Sequence, residues 1–499
     1  MVKKLFLYTI IFSVSFMLSG CADKYHTEDT GKPENIDTVQ IVMFDDSQPK
    51  DEALVENAVS KITREKIQAN VDIETIVYTG YTSEYNLLLS ENPKIDLICM
   101  LPGSDVMKSL VSMDLLQPLE ELLDFYGQDI ENTLGGSLKS GEYRQHQYSI
   151  PSIRQSGHMD GVILLREMID KYNIDVSRLK SWQDLDDIFA IIHENEPQLT
   201  VLAPVRRDWG LASYMVNTDN LGGRNSGVLL NGGLDDLKVV NYFESEEYKQ
   251  AVYKVREWYT KGYIDQDVLF QQESHRNLMS QGQVFSYFNL ITMDDNQEHH
   301  SIPKISVPLM DCVATTDTSQ QVLWGIPSAS ANPQKAMQFL NLMYSDKEIV
   351  NLLQYGIEGV HYTIQENGTM LHEMDATEKS GYFRKYTQSG NLDLLITSQV
   401  LGPDFSQKKQ ALEDETKYSK AYGFVFDTTA LETELSAIQA VLDIYQLPLE
   451  LGTVDPDTEL PIMLEKLREA GIDQVIAEKQ RQLNHWASLQ KKSKKVQKR

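Results

Sequence analysis

The residues from Val322 to Gly359, VLWGIPSASANPQKAMQFLNLMYSDKEIVNLLQYGIEG, constrain the fold more than any other stretch of the chain. Val322, Leu323 and Trp324 form the end of a buried strand, Gly325 to Ala331 a turn, and Asn332 with Pro333 the N-cap and first residue of a helix. The helix therefore starts where the tip of the strand is exposed. Ala336, Phe339, Leu340 and Met343 recur at helical spacing, and Ser345 to Glu348 reads as a capping box that opens a second helix ending near Gly356. The result is a strand, an accessible turn and two packed helices, the local signature of an α/β sheet.

The same rhythm opens the chain. Val39, Ile41 and Met43 alternate as a strand, Leu54, Val55, Ala58, Val59 and Ile62 mark a helix, and Val71, Ile73 and Val77 alternate again, which makes a βαβ unit. Ile95 to Leu101 is nearly continuous in apolar residues and suits a central parallel strand buried on both faces. Ligands of open α/β sheets bind outside the carboxyl ends of the strands. Phe44, Asp45 and Asp46 at the end of the first strand, and Gly103 with Ser104 after the central one, are therefore the first candidate contacts. Asp45 and Asp46 are read either as a helix-capping turn or as acceptors for ligand hydroxyls.

A chain of 499 residues exceeds what one hydrophobic core usually supports, so two lobes are expected. Lys and Arg number 46 against 73 Asp and Glu, a net charge of −27 that argues against nucleic acid or anionic lipid as a partner. The acidic surface is read as a solvated one. KKSKKVQKR, from Lys491 to Arg499, is the basic exception and is read as a tail.

Lys3 and Lys4 precede an apolar run from Leu5 to Met17, and Leu18-Ser19-Gly20-Cys21 matches the lipobox of a bacterial lipoprotein signal peptide, with an ordinary secretory signal as the alternative. The lipobox pattern implies cleavage before Cys21 and lipid on its thiol. The polar residues up to Ile36 are expected to act as a tether of about 20 Å. Cys99 and Cys312 lie in apolar strand-like runs and are read as buried free thiols, a bridge between them being the alternative.

The WGIP, NP and KAMQFLN run, with the capped helix and YGIEG after it, resembles the late segment of extracellular solute-binding proteins that serve sugar ABC transporters. Three further stretches carry the resemblance. The segment Tyr148 to Ile192 holds Trp182-Gln183-Asp184-Leu185, similar to the family's W-E-D-L helix, whose core stripe here is Leu185, Ile188, Phe189 and Ile192. KGYID and then GQVFSYFNL, ending in Tyr287, Phe288 and Asn289, resemble the family's turn and strand that present stacking aromatics. LELGTVDPDTELPIMLEKLREAGIDQVIAEKQRQLNHW is similar to a C-terminal domain of unknown function found in one branch of sugar-binding lipoproteins of Gram-positive bacteria.

The resemblance implies a two-lobed α/β fold of the type II periplasmic-binding-protein class, with hinge crossovers near Ile150 and Val307 and a ligand cleft between the lobes. The division expected is residues 1–21 signal peptide, 22–36 tether, 37–150 and 306–372 first lobe, 151–305 second lobe, 373–487 completion of the second lobe with a C-terminal helical domain, and 488–499 basic tail. Arg154 and His158 lie by the proposed hinge, and Trp209 occupies the position where the family often places an aromatic facing the substrate. Trp209, Tyr287 and Trp324 all stand at element ends, where a cleft is built, and are expected to stack on sugar or else to be half-buried structural aromatics. Asn289 and Phe424 complete the candidate contacts. Gly222 to Gly227 lacks the Lys-Ser/Thr and the preceding strand of a phosphate loop, and a surface loop is expected.

The function implied is capture of an oligosaccharide by lobe closure and delivery to an ABC permease, by a monomer that needs no cofactor and is held to the membrane through a lipid on Cys21. Aromatic faces would stack on sugar rings while Asp, Asn and Arg side chains bond hydroxyls. A ligand-sensing accessory lipoprotein is the alternative. A hydrolase fits poorly: adjacent Asp45 and Asp46 on a strand point to opposite faces, and no Gly-x-Ser-x-Gly or His-Glu-x-x-His occurs.

Overall fold

The computed structural model describes residues 36–497 except 46, 78–81, 92–93, 102, 154–156, 205–209, 223–224, 272–274, 292–302, 373–380, 385 and 400. Two separate apolar cores organise these residues. The first surrounds a five-stranded sheet whose strands lie in the order Ala69–Val77, Asp37–Asp45, Ile95–Met100, Leu323–Gly325 and Ile150–Pro151. The Asp37–Asp45 strand runs parallel to both of its neighbours, and Leu323–Gly325 runs antiparallel between Ile95–Met100 and Ile150–Pro151.

Every residue of Ile95–Met100 is buried, as a strand covered on both faces demands, and Asp96 is among them. Its carboxylate accepts from Gln40 N (3.1 Å), Ser330 Oγ (2.6 Å) and Asn332 N (3.0 Å). A buried carboxylate is tolerable when donors satisfy it, and here those donors come from the neighbouring strand and from the turn that starts the Pro333–Ser345 helix. One aspartate thus joins the opening strand to the late strand-turn-helix. The next helix, Lys347–Tyr355, begins one residue away from the expected Ser345 cap: Asp346 accepts from Glu348 N at 2.9 Å and Ile349 N at 3.2 Å.

The second core surrounds a four-stranded sheet in the order Lys304–Pro308, Met159–Leu165, Val284–Ile291 and Thr200–Ala203. Val284–Ile291 pairs antiparallel with Met159–Leu165 and parallel with Thr200–Ala203. The expected stripe Leu185, Ile188, Phe189 and Ile192 is buried here, and Ser181 and Asp184 form the capping box ahead of it.

Two expected boundaries shift. Ile305 to Met310 does not return the chain to the first lobe: Lys304–Pro308 pairs antiparallel with Met159–Leu165, and Val307 and Leu309 lie in the second core. The crossover follows, where Val313 pairs through its backbone with His158 of the other crossover at 3.0 and 3.1 Å. Residues past 373 do not all complete the second lobe either, since Tyr382 is in the first core. From Ala421 the chain is integral to the second core, with Phe424, Phe426, Ile438, Leu442, Met463 and Val475 all buried in it. The helices Glu432–Glu450, Pro456–Glu469 and Ile472–Gln497 close the chain. Pro456–Glu469 starts as expected, on Asp455 accepting from Asp457 N, whereas Thr429 bonds Asp427 and leaves the Glu432 helix with no side-chain cap.

Cys99 and Cys312 are free and buried.

Candidate functional site

The helix Gly103–Ser112 begins at the carboxyl end of the central strand, where a ligand site of an open sheet is expected. Its first amides are occupied by protein: Gly103 N donates to Gln321 O at 2.9 Å and Ser104 N to Gln320 O at 3.2 Å. A Cβ at position 103 would lie 2.5 Å from the Gln320 carbonyl oxygen, so glycine is required by this close approach. Gly103 is therefore a packing residue. Ser104 differs, because its Oγ is buried without a hydrogen-bond partner, and Gln320 Oε1 and Asn220 Oδ1 share that condition.

Ser104 Oγ and Gln320 Oε1 gather where the lobes meet. A Cβ built on Gly222 would stand 3.3 Å from Lys108 Nζ, 3.5 Å from Gln320 Oε1 and 3.6 Å from Ser104 Oγ. Lys108, on the first lobe's helix, donates to Gly222 O of the second lobe at 2.6 Å. Gln320 Nε2 donates to Phe424 O at 3.2 Å. Beside this junction lies a cavity of about 490 Å³, walled by Asp105, Lys108 and Ser109 on one side and by Glu432, Leu435 and Gln439 on the other. A second cavity of about 260 Å³ is lined by Thr133, Ser140, Ser152, Thr318 and Tyr422. Both are walled by segments of the two lobes.

Four ionisable groups are inserted at the same boundary. Asp219 accepts from Leu221 N (3.0 Å), Thr316 N (3.2 Å) and the Thr316 hydroxyl, and burial raises its pKa. Asp317 accepts from Asn220 Nδ2 at 3.1 Å, and burial together with the charge of Asp219 raises its pKa to about 6. Burial lowers the Lys108 ammonium, and it pulls Lys479, which also feels Lys108, down to about 7. Two potential cations face two potential anions.

The other sequence-derived candidates are dispersed. Phe44 packs its ring on Tyr85 with centroids 4.9 Å apart, and its backbone is held on both sides by the Gln388 amide at 2.8 and 2.5 Å. Asp45 is buried, and its charge acts on Arg384. That guanidinium is itself fully buried, bonding Glu52 (3.1 Å), Thr75 (2.9 Å) and Tyr382 (3.0 Å). Asp45 thus lies beside an internal charged network, which neither the helix-capping turn nor the hydroxyl-acceptor expectation for this position named.

Three of the aromatics expected in the cleft are core residues. Trp324 is 0%, Tyr287 1% and Phe424 2% exposed. Trp324 Nε1 donates to Gln388 O at 2.7 Å, Tyr287 lies between Ile163 and Ala203 in the sheet, and Phe424 meets Trp486 edge-on at 5.9 Å. Both sheets are covered on both faces, so a side chain near a strand end finds protein whichever way it points. Asn289, opposite Gly161, stays half-buried near the end of its strand. Asp46, Arg154, Trp209 and Cys21 lie outside the described residues.

His158 is half-buried, and burial lowers its pKa to about 4, as suits a structural hinge residue. A surface loop is expected at Gly222–Gly227, yet of its described residues Gly222, Ser226 and Gly227 are buried and Asn225 is half-buried. Sequence reasoning missed Lys108, Asp219, Asp317 and Lys479. One signal was available for the last of these, since Val475, Lys479 and Leu483 share a face of one helix at successive turns and both apolar members point to the core.

Residues 46–350, more than half of the chain, match the model of the bacterial extracellular solute-binding proteins, and residues 420–488 match a domain of unknown function, DUF3502. A carbohydrate ABC transporter substrate-binding protein of Streptococcus pneumoniae is 25% identical over 451 residues, 88% of each chain. The crystal structure of an N-glycan transport solute binding protein from Streptococcus pneumoniae superposes with a TM-score of 0.79 at 22% identity, covering 91% of this chain and 99% of that one. The same protein in complex with Man1GlcNAc gives 0.74 at 22% identity, covering 90% and 99%. The two-lobed type II fold is shared with these structures, and the chain belongs to the bacterial extracellular solute-binding protein family.

Proposed function

We propose that the protein captures a neutral oligosaccharide between its lobes and delivers it to an ABC permease from the outer face of the cell membrane, where a lipid on Cys21 holds it. The observation that carries this reading is the convergence of Ser104 Oγ and Gln320 Oε1, buried and without a hydrogen-bond partner among the described residues, on the junction of two lobes that already touch through Lys108 and Gly222. Sugar hydroxyls both donate and accept, so they match a mixed set of hydroxyl, amide and ammonium groups. Capture needs no covalent step. A ligand that touches both lobes favours the closed state through its higher affinity for it, and closure is what a permease reads. The carbohydrate relatives support the ligand class.

In this reading residues 1–21 are removed as a signal peptide, 22–36 tether the monomer, and 488–499 form a basic tail. Calorimetric titration with Man1GlcNAc and a set of other neutral oligosaccharides tests the ligand class. Ligand at about 100 times its Kd should stabilise the fold by about 2.7 kcal/mol. Absence of heat and of thermal shift across neutral oligosaccharides would exclude this ligand class. The anchor is tested by Cys21→Ala, which should release folded protein from membranes; a variant that still pellets after a high-salt wash has another tether. Sugar uptake by cells from which the protein itself is deleted separates transport from sensing, because loss of a sensor would leave uptake unchanged.

A further inference from the structure

Lys479 lies on the Ile472–Gln497 helix between Val475 and Leu483, both of which are in the second core, and its own side chain is 0% exposed. A lysine on an apolar stripe is costly unless acceptors meet its protons. Two do: Gly227 O at 2.7 Å and Asn220 O at 3.2 Å, with the ammonium 5.0 Å from the centroid of the Phe426 ring. The two carbonyls stand at opposite ends of one loop. From that loop, Gly222 O receives Lys108 Nζ of the first lobe at 2.6 Å. Asn220 and Gly227 are therefore held by the C-terminal segment, and Gly222 by the opposite lobe.

We infer that Lys479 is a positioning residue for ligand capture, through which the C-terminal segment holds Asn220 and Gly227 and so sets Gly222 where the first lobe meets it with Lys108. The role rests on the reading of the lobe boundary as the ligand cleft. It gives residues 420–488 a defined task, as the back wall of one jaw. Ser104 Oγ and Gln320 Oε1 are arranged around Gly222, so a relaxed loop would disturb the polar junction without any change in those residues.

Hydrogen–deuterium exchange on the full chain tests this without a ligand, comparing wild type with Lys479→Met, Lys108→Met and Lys479→Met/Asp219→Asn. In Lys479→Met, peptides covering 218–228 and, across the boundary, 103–112 should exchange about tenfold faster while 159–165 and 284–291 keep their rates. Lys108→Met should loosen the same two regions and leave 472–483 unchanged. The double variant removes one potential charge of each sign and should stay as loose as the single one. Loosening confined to 218–228 in Lys479→Met would make the residue a loop support with no effect on the lobe contact. Wild-type protection at 103–112 in the double variant would assign the effect to charge balance. Unchanged exchange at 218–228 in Lys108→Met would overturn the role whatever Lys479→Met does. No arm uses a sugar, so a negative titration and a negative exchange result are separate failures.

Discussion

The two lobes each enclose a carboxylate that is 1% exposed, Asp96 in the first and Glu450 in the second, and they treat it differently. Asp96 accepts from three donors and ties a strand to the start of a helix. Glu450 receives Gln446 Nε2 at 2.8 Å, and burial raises its pKa to about 7. Asp96 is placed by segments of its own lobe's sheet and the strand-turn-helix beside it. Glu450 arrives from the C-terminal segment, and a Cβ on Gly210 would come 2.1 Å from its Oε2. Both lobes take in later segments, but the buried acid of the first is met by three donors, whereas that of the second arrives on a distant segment with its pKa raised by burial. A lobe assembled in that way should respond to pH.

The largest effect is expected from removing a ring that the sequence places in the cleft and the structure places in the first core. Trp324→Ala should cost about 3 to 5 kcal/mol, with the Gln388 carbonyl losing its donor as well. Urea unfolding measures this. A loss under about 1 kcal/mol together with lost sugar binding would return Trp324 to the site and remove its contribution to the first lobe's core.

Glu450→Gln tests the second lobe. Its folded pKa, about 7, lies above the ordinary carboxylate value of 4.5, so between these the folded state holds a proton that the unfolded state has released. Stability therefore falls as pH rises from about 4.5 through 7, and above 7 the buried charge costs about 3 kcal/mol. The variant should melt higher than wild type at pH 8 and show a flatter profile between pH 5 and 8. Parallel profiles for the two proteins would show that the carboxyl is ionised in the fold without this cost.

Asp96→Ala should destabilise by about 2 kcal/mol, because Gln40 N and Asn332 N lose their buried acceptor. A neutral result in chemical denaturation would mean that the turn has other means of reaching the sheet. The smallest effect is expected at Asp455, whose side chain caps the Pro456–Glu469 helix from the exposed side. Asp455→Ala should cost about 1 kcal/mol in the same assay; a loss above about 3 kcal/mol would show that this cap holds the second core and not one helix alone.

Local chemistry was readable in the sequence because it acts over a few residues. The Leu185 to Ile192 stripe, the Ser181 and Asp184 box, the Asp455 cap and the continuous Ile95 strand all depend on neighbours one or two turns away. The cap at Ser345 was misplaced because a competing acceptor, Asp346, stands beside it. Site residues fared worse. Phe44 and Gln388 are 344 residues apart, yet this one residue fixes the end of the first strand with its side-chain amide and the Trp324 indole with its backbone carbonyl. Nothing near position 44 or 324 announces that partner.

The amino-acid order alone established two α/β lobes and the kinship of the chain, since hydrophobic period, caps and turns are encoded within short windows and their succession is specific. Which aromatics face a ligand, and which loop bears on the opposite lobe, was decided only by tertiary structure. Burial depends on what lands on a side chain from elsewhere: Trp324, Tyr287 and Phe424 are covered on every side, while Gly222 and Lys108 are brought together by the meeting of two lobes.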